Sequence, residues 1–595
     1  MATQNMEIFC KCLHAKFNEK PVEMFCNLDQ QQAEARFKSV KAGSVKYDIN
    51  LVLLKGSTFN GRVMMNFDIN DKDSVFLQYV GTTFEFVSVN GKEVPKVDGS
   101  HEYLRHHGYL MIPTDLLEDS NTIEMSFTSN YNNDGNGFHS YTDIDGSQYV
   151  YTQNEPGWCN RLFPLFDQPD LKAPYTLKCT APNEWKVIAT EPVKSKEPVG
   201  DDATKWTFDW TCPLSTYLYT CIAGPYREIV AAPETLYRGI TMSIFCRETL
   251  FEYIDAQQKD IFEFNSDGLE RYDNLFGFLY PFKKIDSIFC PEFTVGAMEN
   301  PGAVTYTEHY AFKKVPTQAE VSDRGSTIIH ELAHMWFGNA VTMKWWNNLW
   351  LNESFADFVN YVVMNDQYGN LSFNIDDAWC MFNMRKGWGY RADQLDSTHP
   401  IYGEVPDLAA AESIFDGITY SKGAATMRQL YALIGREVFS ESMKRYFNKF
   451  AYSNATLEDL LGTMQTVLNE KNGDNMPAEL HLENFNQTWI KTAGLNTVNC
   501  VWDKESLVNS GNLVLKQGVA LEAYPTLRYH KMRVGFYDEN AKLLAEPELI
   551  LQNTGETQMN VSSCDFDRSK VCAVIPNVGD MTFIKIILDA TSLEF

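Results

Sequence analysis

A chain of 595 residues is longer than one hydrophobic core ordinarily serves, so three or four domains are expected. With 51 Lys and Arg against 78 Asp and Glu, its formal charge of −27 argues against nucleic acid as a partner. Its 44% hydrophobic and 22% charged residues are those of an ordinary globular protein, and the acidity fits either solubility or attraction of cationic groups such as a peptide's α-amine.

The opening MATQNMEIFCKCLH lacks a basic stretch followed by an apolar one, and no run of eighteen apolar residues occurs. Neither a signal peptide nor a membrane anchor is therefore expected. Thirteen Cys without framework spacing fit reduced thiols, and the expected location is cytoplasmic; Cys10-x-Cys12 reads as two ordinary thiols rather than a metal pair. The first thirty-odd residues read as a helix or an extension. From about Ser44 the chain alternates in strand fashion, with Asn90-Gly91 as a hairpin signal, and the pattern predicts an antiparallel β domain over residues 1–224. Within it, residues 151–175 are rich in Pro, Gly and aromatics, which fits either a binding loop or a structural one. After Pro225 the period changes, and residues 225–495 predict a mostly helical domain that opens with strands around YPFKKIDSIFCP and VGAMENPGAVTY. Strand patterns return from Val498, so residues 496–595 predict a small β-sandwich.

One stretch of the helical domain carries chemistry. His330, Glu331 and His334 spell H-E-x-x-H, with Ser322 or Asp323 as the expected cap and Ile328, Ile329, Leu332, Met335 and Trp336 at helical spacing. Side chains four apart share one helix face, so the two imidazoles can reach one ion. Eighteen residues separate His334 from Glu353, which a following helix supplies as third ligand, leaving a fourth zinc position to water. Glu331, projecting differently, suits a general base acting on that water. With 11 His in the chain, chance produces this motif on the order of 0.01 times, so a single catalytic Zn2+ is expected.

Gly296-Ala297-Met298-Glu299-Asn300 together with His330-Glu331-x-x-His334-x18-Glu353 resembles the zinc aminopeptidase N family of gluzincin metallopeptidases. TQNEP (152–156), FDQPDLKA (166–173) and Tyr420-Ser421-Lys422-Gly423-Ala424 are similar to further family segments, so the resemblance spans nearly the whole chain. It implies a multidomain α+β architecture: an N-terminal antiparallel β domain, a thermolysin-like, mostly helical catalytic domain, and a C-terminal β-sandwich. It also implies that Glu155 and Glu299 bind the substrate's free ammonium, that the Gly296-Ala297 backbone pairs with the peptide as an added strand, and that Gln153 and Met298 line the first side-chain pocket. Tyr420 is implied as donor to the oxyanion. Asp357, four residues past Glu353, is placed to support a ligand histidine. Asn360 stands where many relatives have an acidic residue. Relatives commonly continue into a large helical C-terminal domain, whereas only about a hundred residues follow Gly494 here, and the chain is expected to lack that domain.

The reading is a zinc aminopeptidase acting on peptides with a free N-terminal amine. Rivals are an endopeptidase, a leukotriene-hydrolase-type epoxide hydrolase with aminopeptidase activity, and a catalytically silent peptide-binding protein. Side-chain preference and oligomeric state are not set by the sequence.

Overall fold

The computed structural model describes residues 26–365, 378–473 and 476–595, and Cys10 and Cys12 lie outside them. The alternating region from Ser44 folds into a seven-stranded sheet in the order Val193–Val199, Ala203–Phe208, Tyr175–Pro182, Lys46–Leu53, Thr58–Asp68, Ser120–Asn130 and Thr83–Val89. Alternate residues of Lys46–Leu53 are buried, as a sheet with one covered face requires. One pairing departs from the expected antiparallel pattern. Lys46–Leu53 runs parallel to Tyr175–Pro182, with Tyr47 opposite Tyr175, because a long excursion separates the two strands and no hairpin joins them. Asn90 and Gly91 both have positive φ, 53° and 72°, and close a two-residue turn through a Val89–Lys92 bridge.

A second sheet, Lys186–Ala189, Cys221–Gly224, Gln148–Gln153 and Gly137–Thr142, packs into the same core. Every residue of Gln148–Gln153 is buried, and this strand ends at Gln153. The Pro- and aromatic-rich segment after it is almost wholly buried too. Arg36, on helix α1 (Gln30–Ser39), donates from Nη2 to Gln78 Oε1 at 2.7 Å and from Nε to Gln168 Oε1 at 2.5 Å, so it satisfies the segment's polar groups inside the core. Lys172 Nζ donates to Asn339 O and Ala340 O at 2.9 and 3.1 Å, tying the segment to the loop behind the H-E-x-x-H helix.

The next region opens with a five-stranded sheet in the order Arg227–Val230, Thr241–Cys246, Lys284–Cys290, Ala303–Thr307 and Ala297–Met298. Ala297–Met298 is the edge, antiparallel to its neighbour, with Ala297 opposite Tyr306 and Met298 opposite Thr305. Helices follow: α2 (Gln258–Phe276) lies before the edge strand in sequence, and α3 (Gln318–His334), α4 (Trp350–Met364), α5 (Ala378–Ala392), α6 (Leu408–Ser413) and α7 (Gly423–Ile434) come after it. Residues 421–438 do not form one helix: the run is broken at Gly435, whose φ of 80° no helix accommodates. No helix among the described residues is long and apolar enough to cross a membrane.

The last hundred residues form two four-stranded sheets, with Val498, Leu515, Met532, Val534 and Phe536 in a core of their own. They are keyed to the helices by buried cations. Arg528 donates to Thr488 O at 2.7 Å and Ala493 O at 3.1 Å, and Lys386 of α5 donates to Thr582 O at 2.9 Å.

Candidate active site

Helix α3 starts five residues earlier than the Ser322 or Asp323 cap expected from sequence. Thr317 is the cap and forms a reciprocal capping box with Glu320, which satisfies two helix-end donors where Ser322 offers no such pair. The helix leans on α2: Tyr272 Oη donates to Ile329 O at 2.9 Å, and a Cβ added to Gly268 would come within 2.7 Å of Leu332 Cδ1. Helix α4 is buried on all sides, as its apolar composition dictates. These packed helices hold His330, His334 and Glu353 rigidly.

The two Nε2 atoms of His330 and His334 face each other at 2.9 Å, and each lies 3.5 Å from Glu353 Oε2. Glu299, Glu331 and His334 form a second, overlapping group with donor atoms within 4.8 Å of one another. Glu331 is 5% exposed, and its Oε2 has no hydrogen-bond partner among the described residues; the same holds for Glu155 Oε1 and Gln153 Oε1. Two imidazole nitrogens and several carboxylates converging on one point, with acceptors left unmatched, fit a cation held by His330, His334 and Glu353.

The titration shifts agree with that reading. Burial, with Glu299 and Glu353 adding to it, pushes Glu331 well above the usual carboxylate range against the pull of His334. Burial, then Glu299, pushes Glu155 up in the same way. Glu353 moves the other way, because His334 and His330 outweigh its burial. A central cation would lower all of these carboxylates together.

Tyr420 stands opposite the histidines on a single π-type turn, Ile418–Lys422, in which Lys422 N bonds Gly417 O at 3.0 Å. Its hydroxyl hydrogen-bonds Glu353, and burial raises it well above the usual phenol range. The turn is locked from behind. Lys422 Nζ donates to Asp393 Oδ1 at 3.0 Å, the same oxygen accepts from Gly494 N at 2.9 Å, and a Cβ on Gly423 would overlap Ser354 Oγ at 2.0 Å.

Asp357 Oδ1 lies 3.6 Å from His330 Nδ1, beyond hydrogen-bond range, while Arg385 Nε donates to Asp357 Oδ2 at 3.0 Å. Asn360, also buried, turns back to accept from Ser326 Oγ at 3.3 Å. Four residues have roles that spacing does not reveal. Asn352, which reads in the sequence only as part of an N-x-S triplet, accepts from His334 Nδ1 and donates to Glu299 Oε1 at 3.0 Å. It fixes the histidine's tautomer so that Nε2 faces the centre. Gly338, with φ of 110°, leaves the space: a Cβ there would lie 2.3 Å from Asn352 Oδ1. Arg385 and Trp388 of α5 flank Tyr420, the guanidinium carbon 5.6 Å and the indole 5.7 Å from its ring. Their signal is tertiary, since α5 meets Tyr420 only after folding.

The triad, Glu331 and Tyr420 open on one cavity of about 320 Å³, lined also by Gln153, Glu155, Ala297, Met298 and Glu299. Gly296 lies between the lining residues Val295 and Ala297 in sequence without lining the cavity itself, its carbonyl accepting from Thr307 N at 3.0 Å. Glu155 precedes Pro156 across a cis peptide bond.

Residues 44–218 match the model of the peptidase M1 N-terminal domain, and residues 261–489 match that of the peptidase family M1 domain. The chain is 34% identical to aminopeptidase N of Streptomyces lividans, over 95% of the chain and 64% of that protein. It is 31% identical to aminopeptidase M1-A of Oryza sativa subsp. japonica, over 79% of the chain and 52% of the relative, and 29% identical to glutamyl aminopeptidase of Bos taurus, over 76% and 47%. The chain thus spans from about half to just under two thirds of the length of these relatives.

Proposed function

The chain belongs to the peptidase M1 family, and from that premise we propose that it is a zinc-dependent aminopeptidase that removes the N-terminal residue of peptides. The observation that carries the proposal is the placement of Glu155 and Glu299 in one cavity with the His330–His334–Glu353 triad. Carboxylates beside a hydrolytic centre select a free ammonium, and a site that binds the amine counts from the N-terminus.

His330, His334 and Glu353 would hold Zn2+, which when bound polarises a carbonyl and brings the pKa of water from 15.7 to about 7. Glu155 and Glu299 receive the substrate amine and so fix which bond is presented. The backbone of Gly296-Ala297, on the exposed edge of a sheet, pairs with the extended peptide. Glu331 takes the proton of the attacking water and delivers it to the departing amine. Tyr420 donates its hydroxyl to the oxyanion as it develops. Asn352 keeps His334 oriented, and Arg385 holds Asp357 beside His330.

The division into an N-terminal β domain (1–224), a thermolysin-like catalytic domain (225–495) and a C-terminal β-sandwich (496–595) is our reading of the three sheet regions. A cytoplasmic location is supported by buried free thiols such as those of Cys159, Cys179 and Cys290.

The test is a panel of fluorogenic aminoacyl substrates and their Nα-acetylated counterparts, with and without chelator. Cleavage of free-amine substrates alone, lost on chelation and restored by zinc, is expected. Glu331→Gln should abolish turnover while zinc stays bound. Equal cleavage of the acetylated substrates would make the protein an endopeptidase, and a fully active Glu331→Gln variant would remove the mechanism.

A further inference from the structure

Besides Glu155, the cavity is lined by Trp158, Met298 and Phe415 as apolar residues and by Asn136, Gln153 and Glu412 as polar ones. Glu412 comes from α6, an element far from the motifs in sequence. The helix is pressed onto the loop that carries Glu155: a Cβ on Gly157 would come within 2.5 Å of Leu408 Cδ1, Leu408 N bonds Leu28 O at 3.1 Å, and the Glu412 carboxylate accepts from the Trp158 indole. Glu412 is exposed to solvent at the cavity and is tethered there through Trp158.

Its charge has no ion pair among the described residues, and no Lys or Arg lines the cavity. Arg161 acts on Glu412 through space but is hydrogen-bonded away from it, donating to Asp134 Oδ2 at 2.7 Å while its guanidinium lies 4.1 Å over the Trp158 ring. Gln153, 6% exposed, adds an acceptor, Oε1, that lacks a partner among the described residues. The lining therefore combines apolar surface with the partnerless Gln153 Oε1 and a carboxylate that has no ion pair. A flexible aliphatic stem with a cationic head complements both features, since the stem buries against the walls while the head meets the carboxylate.

Building on the aminopeptidase reading, we infer that this pocket selects peptides whose first residue is arginine or lysine, with Glu412 as the specificity-determining carboxylate and Gln153 as its partner. A long uncharged side chain, methionine or leucine, packs on the same apolar surface but leaves the acceptors unmatched, which is the cost that separates the two classes.

The deciding measurement compares arginine with citrulline, which has nearly the same shape and no charge, as the first residue of otherwise identical fluorogenic amides. In the zinc-loaded protein the kcat/KM ratio of arginine to citrulline is expected to be about tenfold or more, the scale of one charge-assisted hydrogen bond. Glu412→Gln should bring that ratio to within about threefold, and Glu412→Lys should reverse it. A ratio near one in the unaltered protein, or one that Glu412→Gln leaves in place, would overturn the inference. Calorimetric binding of argininamide and citrullinamide to zinc-loaded Glu331→Gln protein reads the same preference without turnover. If no amide is cleaved, the peptidase reading fails while this binding ratio still decides the pocket.

Discussion

The two walls of the cavity are built in different ways. One comes from α3 and α4, consecutive helices whose side chains His330, Glu331, His334 and Glu353 lie close together in sequence and are held by packing, α4 being buried on every side. The other is assembled from Gln153 and Glu155 at the end of a strand, the edge strand Ala297–Met298, and Glu412 on α6, which meet only when distant segments pack. The first wall sets the reaction and the second sets what is presented to it. Damage to one should therefore appear in turnover, and damage to the other in recognition.

The sharpest break of this division is Tyr420→Phe. Losing an oxyanion donor typically costs about 10²–10³ in kcat, and the stacked Trp388 and Arg385 should keep the ring in place, so KM should change little. Steady-state kinetics on one aminoacyl amide checks this, and a loss carried mainly by KM would move Tyr420 to the recognition wall.

On the other side, Glu155→Gln and Glu299→Gln each remove a charge-assisted contact to the amine, worth about 1.5–3 kcal/mol, or roughly ten- to 150-fold in kcat/KM. The loss should be concentrated in KM, and zinc content should hold for Glu155→Gln. A pure kcat effect from Glu155→Gln would erase the distinction between the walls.

Asn352 joins them, since its amide touches both His334 and Glu299. Asn352→Ala should weaken zinc affinity by about ten- to a hundredfold, the usual cost of losing a ligand's supporting hydrogen bond, and should also raise KM for the free amine. Competition with a chromogenic chelator measures the first and kinetics the second. If neither moves, the bridge is incidental.

How legible each wall was follows from the same contrast. The catalytic wall stands in the sequence because its chemistry needs a fixed spacing on one helix, and H-E-x-x-H states that spacing directly. Glu155, Glu299 and Tyr420 carry no such periodicity, and only the resemblance placed them; the fold shows why, since their positions depend on a strand end, a sheet edge and a π-type turn. Asn352 and Arg385 were invisible because a polar residue on a helix looks the same whether it faces water or a buried imidazole. Helix ends were misplaced where a capping box outcompeted a nearer polar residue, as Thr317 and Glu320 did at α3. The parallel pairing of Lys46–Leu53 with Tyr175–Pro182 was equally hidden, because strand patterns report which face is buried and not which neighbour is chosen.

The smallest expected effect tests what holds the walls together. Lys172 is buried, and its ammonium donates to Asn339 O and Ala340 O just behind α3. Burial lowers its pKa from 10.5 to about 7. Between those values the unfolded chain binds a proton that the folded protein does not, so this residue makes stability rise with pH from about 7 toward 10.5, and it contributes no slope below 7, where both states are charged. Lys172→Met should leave Asn339 O unsatisfied while Ala340 O keeps its bond from Tyr452 N, at about 1–3 kcal/mol, and should remove that slope. Urea midpoints at pH 7, 8 and 9 for both proteins read the difference directly: the gap between them should widen as pH rises. A constant gap would mean that Lys172 stays charged in the fold, and that the recognition segment is tied to the catalytic helix by an ammonium rather than by a neutral amine.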